Sequence, residues 1–118
     1  MAYDERMGYT LLLMLWAGHY IADYPFQSAY MAENKAYALM TAEGTHALTA
    51  HAFIQGLTAG VISHSVVAAL CVGLSHWLID FGKASKLLKR GKRSGLYGIN
   101  VDQALHLSVI FLVWLWLL

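Results

Sequence analysis

The sequence contains little cysteine, proline or charge, and these shortages exclude several classes of protein. The single cysteine, Cys71, cannot form a disulfide within the chain, which excludes a disulfide-stapled scaffold. The single proline, Pro25, follows an apolar stretch and is expected to end or kink a helix there. Charged residues make up 13% of the 118 residues, about half the usual quarter of a soluble domain. Such a chain is neither disordered nor a soluble globular domain, and its near-neutral balance leaves no basic face for nucleic acid.

Apolar residues are abundant instead, at 58% of the sequence. Four apolar stretches cover about residues 7–26, 43–60, 61–83 and 99–118. Each is close to the roughly 20 residues that a helix needs to cross about 30 Å of hydrocarbon. In lipid, only a helix satisfies the backbone polar groups of such a stretch. The sequence therefore predicts an all-α polytopic membrane protein, one domain over residues 1–118 that forms a four-transmembrane-helix bundle in the lipid bilayer.

Two glycines in the second stretch predict how it packs. Gly56 and Gly60 form a small-xxx-small pair, which is typical of close contact between membrane helices. The same face could pair with a second copy of the chain, so a homo-oligomer is a further expectation. The turn to the third helix must be tight and is expected within residues 59–65.

The positions of the basic residues predict the orientation of the chain. Six of the eight lie between the third and fourth stretches, at Lys83, Lys86, Lys89, Arg90, Lys92 and Arg93. Because cytoplasmic loops carry an excess of lysine and arginine, this 83–93 loop is expected to be cytoplasmic. With four spans, both termini would then be periplasmic, and the connection over residues 25–43 would also face the cytoplasm.

Polar residues recur at a fixed spacing within the predicted helices. Three helices carry a histidine and an aspartate four residues apart: His19 with Asp23, His76 with Asp80, and Asp102 with His106. A spacing of four places both side chains on one helix face, one turn apart. The order is reversed in the last pair, whose helix runs in the opposite direction through the membrane. The pairs therefore predict a layer of histidines above a layer of aspartates at matching depth.

The second predicted helix offers two histidines to this arrangement. His46 and His51 are separated by five residues, which places them roughly 140° apart around a helix. Both are therefore unlikely to face one point. We expect His51 to lie in the histidine layer and keep His46 as a candidate at its rim.

Together these side chains are a ligand set for a divalent metal ion. The predicted ligands are His19, Asp23, His51, His76, Asp80, Asp102 and His106. Imidazole and carboxylate ligands suit Zn, Mn, Fe, Co or Ni. They could serve one six-coordinate ion with water, or two ions about 3.5–4 Å apart. The structural alternative is hydrogen bonding between helices, but an aspartate costs about 2.5–3.5 kcal/mol at the centre of a membrane helix, and uncharged residues would serve at lower cost.

Further polar residues lie beside these pairs. The candidates for substrate binding or for orienting a ligand are Gln27, Lys35, His46, Lys83 and Gln103. A lysine such as Lys83 could bind a phosphate or carboxylate, or could extend to the head-group region of the membrane. Asp23, Asp80 and Asp102 are the candidate catalytic carboxylates.

The ordered motifs resemble those of a known family. They are His19-x-x-x-Asp23-Tyr24-x-x-Gln27, Met31-Ala32-x-x-Lys35, Ala50-His51-Ala52, His76-x-x-Ile79-Asp80-x-x-Lys83 and Asp102-Gln103-x-x-His106. This set, over about residues 12–112, looks like the small bacterial and phage membrane proteins catalogued as domain of unknown function 3307. Tyr24 stands where phenylalanine is more usual. The family is distantly similar to inner-membrane metal-dependent hydrolases, and the resemblance implies a bacterial or phage-infected inner membrane.

Three functions are consistent with these features. The leading hypothesis is a metal-dependent hydrolase acting on a phosphoester or lipid-linked substrate at the cytoplasmic face. The second is a divalent-cation or proton transporter, for which few polar residues are available towards the outer side. The third is a phage-type membrane pore or assembly protein without catalysis, which leaves the matched histidines and aspartates unexplained.

Overall fold

A computed structural model describes residues 5–90 and 96–118 of the protein. It consists of five α-helices and one short 3-10 helix: α1 Glu5–Asp23, α2 Ala29–Asn34, the 3-10 helix Lys35–Tyr37, α3 Ala42–Ser63, α4 Val66–Arg90 and α5 Leu96–Leu117. The described residues contain no β-strand. The all-α prediction is confirmed, and α1, α3, α4 and α5 correspond to the four predicted apolar stretches.

Local sequence signals explain where these helices begin and end. Helix α1 ends at Asp23, two residues before Pro25, because proline disfavours helical conformation in the residue before it. Thr41 caps α3 by accepting a hydrogen bond from the Gly44 backbone N–H at 2.9 Å. His64 ends α3 in the left-handed conformation, with φ 55°. The tight turn lies within the predicted residues 59–65, at the end nearer α4.

The structure differs from the predicted elements in the first connection and at the ends of helices. The first connection contains α2 and the 3-10 helix, which were not predicted because they lack a long apolar stripe. Helix α3 extends to Ser63, beyond the predicted end at residue 60. Helix α4 continues through Arg90 rather than ending at Lys83, so part of the predicted basic loop is helical. Lys92 and Arg93 lie outside the described residues.

The predicted close contact at the glycine pair is present and lies between α3 and α4. A Cβ added at Gly56 would lie 2.7 Å from the Ala69 carbonyl oxygen and 3.1 Å from the Gly73 Cα. A Cβ added at Gly60 would lie 2.8 Å from the Ala69 Cβ. The glycine face is therefore covered by α4 of the same chain, and homo-oligomerisation stays a prediction.

The bundle interior has an apolar half and a polar half. The apolar core is formed by Leu12, Leu15, Ala59, Ala68, Val72, Ile110 and Val113. The buried polar residues are His19, His51, Gln55, His76, Asp80, Asp102 and His106. On the outside, large apolar side chains such as Leu13, Phe53, Leu74 and Leu112 are more than half exposed. One half of the interior is therefore polar, while large apolar side chains lie on the exterior.

Among the described helices, one contains a stretch that is long and apolar enough to cross a membrane. This stretch is Val66–Lys83 of α4, and α5 contains the shorter apolar stretch Val101–Leu117. Polar side chains that point inward, such as His51 and Gln55 of α3, reduce the hydropathy of their helices. By length and composition alone, the fold therefore offers one candidate span, and four spans stay a prediction.

Candidate metal centre

Each of the four long helices contributes one buried histidine to a single cluster. These are His19 from α1, His51 from α3, His76 from α4 and His106 from α5, and each is at most 3% exposed. The ring centroids lie 4.0 Å apart for His76 and His106, 4.8 Å for His51 and His76, and 5.2 Å for His19 and His106. The structure thus forms the predicted histidine layer. It includes His51 and leaves His46 exposed.

Asp80 lies within 3.5 Å of three of these histidines. Its Oδ1 lies 3.0 Å from Nε2 of His106. Its Oδ2 lies 3.3 Å from Nε2 of His76 and 3.5 Å from Nε2 of His51. Since Asp80 is 3% exposed, its charge must be balanced by its neighbours rather than by water.

Asp23 and Asp102 lie on either side of Asp80. Oδ1 of Asp23 is 3.1 Å from Nε2 of His51 and 3.8 Å from Nε2 of His76. Oδ1 of Asp102 is 3.3 Å from Nε2 of His106. Every one of the three predicted carboxylates therefore contacts the histidine cluster.

Two glutamine amides link Asp23 to His19. Nε2 of Gln55 donates to Asp23 Oδ1 and to the His19 carbonyl, both at 3.2 Å, and Nε2 of Gln103 donates to Asp23 Oδ2 at 2.8 Å. The amide oxygens face the imidazole, with Gln55 Oε1 at 3.2 Å from Nδ1 and Gln103 Oε1 at 2.8 Å from Nε2. Each ring nitrogen of His19 thus faces an amide oxygen, and a neutral imidazole, which carries one N–H, donates to one of them. The sequence predicted His19 as a direct metal ligand, and in the structure it is linked to Asp23 through these two amides.

Gln55 is a member of the site that the sequence analysis missed. It is 1% exposed and joins α3 to α1. A signal was present, since Gln55 follows His51 by four residues and so lies on the same helix face. Gln103, in contrast, was predicted beside Asp102 and is found in the network.

Two lysines form ion pairs with the buried carboxylates. Nζ of Lys35 lies 3.4 Å from Oδ2 of Asp80, and Nζ of Lys83 lies 3.2 Å from Oδ2 of Asp102. The lysine side chains are 18% and 30% exposed, whereas the two carboxylates are nearly buried. Both lysines were predicted as neighbours of the site, and both contact it.

The remaining two candidates are not joined to the cluster. Among the described residues, no hydrogen bond or ion pair connects the side chain of Gln27 or His46 with it. Gln27 is half-buried, and its Oε1 is buried without a hydrogen-bond partner in the described chain.

Two overlapping groups of side chains could hold a metal ion. One is Asp23, His51 and His76, and the other is His76, Asp80 and His106, with ligand atoms within 4.8 Å of one another in each group. Nδ1 of His51 is buried and has no hydrogen-bond partner among the described residues. Nε2 of His76 and Oδ1 of Asp102 are also buried, and their 3.3 Å contacts to Asp80 and His106 do not have hydrogen-bond geometry. An unsatisfied buried polar atom costs about 1–3 kcal/mol. A bound cation would offset this cost at His76, so the residues fit a metal ion.

The family comparison agrees with the resemblance read from the motifs. Residues 11–118 match the model of a family described as "Protein of unknown function (DUF3307)", and the chain belongs to this family. No curated protein and no solved structure matches the chain. The family description assigns no activity, so any functional conclusion must come from the site.

Proposed function

We propose that this DUF3307 protein is a membrane-embedded, divalent-metal-binding hydrolase that acts on a phosphoester or lipid-linked substrate at the cytoplasmic face. The observation that carries the proposal is the buried cluster of histidines and carboxylates from all four long helices. Zn, Mn, Fe, Co and Ni are the ions that match this mixture of imidazole and carboxylate ligands.

The apolar exterior supports a membrane location. Helices α1, α3, α4 and α5 contain 19, 22, 25 and 22 residues, enough to cross about 30 Å at 1.5 Å per residue. Their inner faces carry the polar groups, and their outer faces expose side chains such as Phe53 and Leu74. We propose that all four span the inner membrane. By the positive-inside rule, the basic residues that begin at Lys83 support a metal centre near the cytoplasmic side, with both termini in the periplasm.

The site residues divide into those that hold the metal and those that support them. His76, Asp80 and His106 form the more buried group, and Asp23 with His51 extends it. A divalent ion held there would polarise a phosphoryl oxygen and activate a water molecule.

Two further details of the carboxylates enter this proposal. Asp102 has one buried oxygen without a hydrogen-bond partner in the described chain, which makes it the candidate general base. The amides of Gln55 and Gln103 hold Asp23 in one orientation.

A transport function is less well supported, because the other half of the bundle offers no polar path in the described residues. Its core is apolar, with Leu12, Leu15 and Ile110 among its members. The hydroxyls of Thr58 and Ser63 are bonded to carbonyl oxygens of their own helix at 2.8 and 2.7 Å. A carrier needs groups that accompany the ion through the whole thickness of the membrane.

A liposome experiment tests the proposal. Reconstituted protein is supplied with Mn²⁺ and either phosphatidic acid or a soluble phosphomonoester, and phosphate release is measured. We expect release from at least one substrate, loss of release with chelator or in His76→Ala, and no change in His46→Ala, whose histidine is exposed on α3. Uptake of Mn²⁺ into the liposomes without phosphate release would contradict the hydrolase and support the carrier.

A further inference from the structure

The two lysines at the site form ion pairs with buried carboxylates, and a metal ion would compete for one of these carboxylates. Lys35 contacts Oδ2 of Asp80, and the same oxygen lies 3.3 Å from Nε2 of His76. Asp80 and His76 belong to one of the two groups that could hold a metal ion. A dication at that group and the Lys35 ammonium would therefore compete for one carboxylate oxygen.

Lys83 pairs with Asp102, which contacts His106 but belongs to neither of the two groups that could hold a metal ion. Its ammonium contacts Oδ2 of Asp102, while Oδ1 of that carboxylate lies 3.3 Å from Nε2 of His106. Without metal, each lysine thus balances one buried carboxylate. Such balance is needed because an unpaired buried charge is strongly unfavourable.

Both lysines can move without disturbing the bundle. Their side chains are partly exposed, and a lysine carries its charge on a flexible four-carbon stem. Lys35 also lies in the short 3-10 helix of the connection rather than in a long helix.

The charge of the site changes sign when a dication enters. The described site contains three carboxylates and two ammonium groups, a net charge of one negative if its histidines are neutral. One bound dication makes the net charge one positive while both lysines stay nearby. A positive, partly buried site attracts an anion, and the two ammonium groups are able to donate hydrogen bonds to it.

We propose that Lys35 is an exchangeable counter-ion that pairs with Asp80 in the metal-free protein and is displaced when metal binds, and that Lys35 and Lys83 then bind a phosphate group of the substrate. The inference rests on the proposed metal site and adds an order of binding, metal first and anion second. It also assigns the substrate an anionic, phosphate-type group.

The test measures two affinities in protein reconstituted in zwitterionic nanodiscs. Mn²⁺ binding is followed by electron paramagnetic resonance, and binding of inorganic phosphate is measured with and without Mn²⁺. In the wild type, phosphate should bind only after Mn²⁺. In Lys35→Met, Mn²⁺ should bind about two- to fivefold more tightly, because one partly exposed competing ion pair is removed. Phosphate binding to the Mn²⁺-loaded variant should weaken about tenfold, the typical effect of losing a charged hydrogen bond.

Matched variants distinguish the proposed role of the lysines in metal and phosphate binding from a role in stabilising the fold. Lys35→Arg keeps the charge and should resemble the wild type in both affinities. Lys83→Met removes the ion pair of a carboxylate outside both metal groups and should weaken phosphate binding with little change in Mn²⁺ affinity. Weaker Mn²⁺ binding in both methionine variants would show that the lysines support the fold and would overturn the inference.

The remaining outcomes distinguish the two proposals. No Mn²⁺ binding by the wild type would contradict the proposed function and this inference together. Mn²⁺ binding that is the same in the wild type and both methionine variants would contradict this inference alone, as would phosphate binding without Mn²⁺. Adding phosphatidic acid to the nanodiscs identifies the source of the anion. If phosphatidic acid reduces the binding of inorganic phosphate, the anion is a lipid head group. If phosphatidic acid has no effect on phosphate binding, the anion is a soluble phosphate compound. Either result supports the exchange.

Discussion

His46 and His51 show how strongly the position of a single residue determines its role. Both histidines lie on α3, yet His51 is fully buried among the carboxylates and His46 is exposed. Their separation of roughly 140° around the helix accounts for the difference. The sequence was sufficient to prefer His51, because its depth along the helix matches that of the other helices' histidines, whereas His46 lies nearer the depth of the aspartates.

This pair supplies the first prediction. His51→Ala removes a ligand and should weaken Mn²⁺ binding more than the about 10–100-fold typical of residues that only orient a ligand. His46→Ala should change the affinity less than twofold, because its side chain contacts none of the ligands in the described structure. Titration of both variants with Mn²⁺ checks the prediction, and equal effects in the two would contradict it.

Gln55 gives a second prediction at the residue scale. Gln55→Met keeps the size of the side chain but removes the hydrogen bonds to Asp23 and His19. We expect Mn²⁺ affinity to fall about 10–100-fold, since Asp23 loses a group that orients it. The free energy of unfolding should also fall by about 1–3 kcal/mol, because buried polar partners are left unsatisfied.

Metal titration and detergent-mediated unfolding measure these two effects. Thr58→Val is the control, since in the described part of the chain the Thr58 hydroxyl donates a hydrogen bond to the Ile54 carbonyl of its own helix and none to the cluster. If Gln55→Met binds metal as the wild type does, the amide network has no role in positioning Asp23.

The site was predictable where it depended on spacing within one helix. The three histidine–aspartate pairs follow from a spacing of four, and the reversed pair of Asp102 and His106 indicated equal depth. The amide network was not predictable, because Gln55 and Gln103 reach His19 from different helices. Their distances depend on how α1, α3 and α5 pack.

At the scale of elements, the contact between α3 and α4 sets the distance between His51 and His76. Gly56→Ala would place a methyl group 2.7 Å from the Ala69 carbonyl oxygen. Because a backbone carbonyl in a helix cannot move aside as a flexible side chain can, α3 and α4 must separate. We expect a loss of about 1–3 kcal/mol in the free energy of unfolding and weaker Mn²⁺ binding.

Gly82→Ala is the matched control for this prediction. A Cβ added at Gly82 would have no neighbouring atom within 4 Å. Alanine also stabilises a helix by about 1 kcal/mol relative to glycine. This variant should be as stable as the wild type or more so. Equal destabilisation by both substitutions would contradict the packing explanation.

The sequence predicted the long helices better than the connections between them. Apolar length identified α1, α3, α4 and α5, and Pro25 indicated the early end of α1. The short α2 was missed because it has only six residues, and the extension of α4 to Arg90 was missed because basic residues recur in it. Local caps such as Ser28, which accepts from the Met31 N–H, form these features without an apolar stripe.

At the scale of the whole molecule, the proposal requires four spans with the metal centre near the cytoplasm. The turn at His64 and the connection that contains Ala29 then lie on opposite sides of the membrane. Both residues are exposed, which makes them suitable positions for single cysteines in a Cys71→Ser background. An impermeant thiol reagent should label His64→Cys in intact cells and Ala29→Cys only after the inner membrane is opened. Labelling of both from the same side would contradict four spans.

The central claim is that the buried histidines and carboxylates bind a divalent metal ion. The most direct measurement is the metal content, by mass spectrometry, of the wild-type protein purified without chelator, beside His76→Ala and the control His46→Ala. We predict at least one transition-metal ion per chain in the wild type and in His46→Ala, and loss of this metal in His76→Ala. A folded wild-type protein that contains no such metal, and takes up none when it is supplied, would contradict the claim.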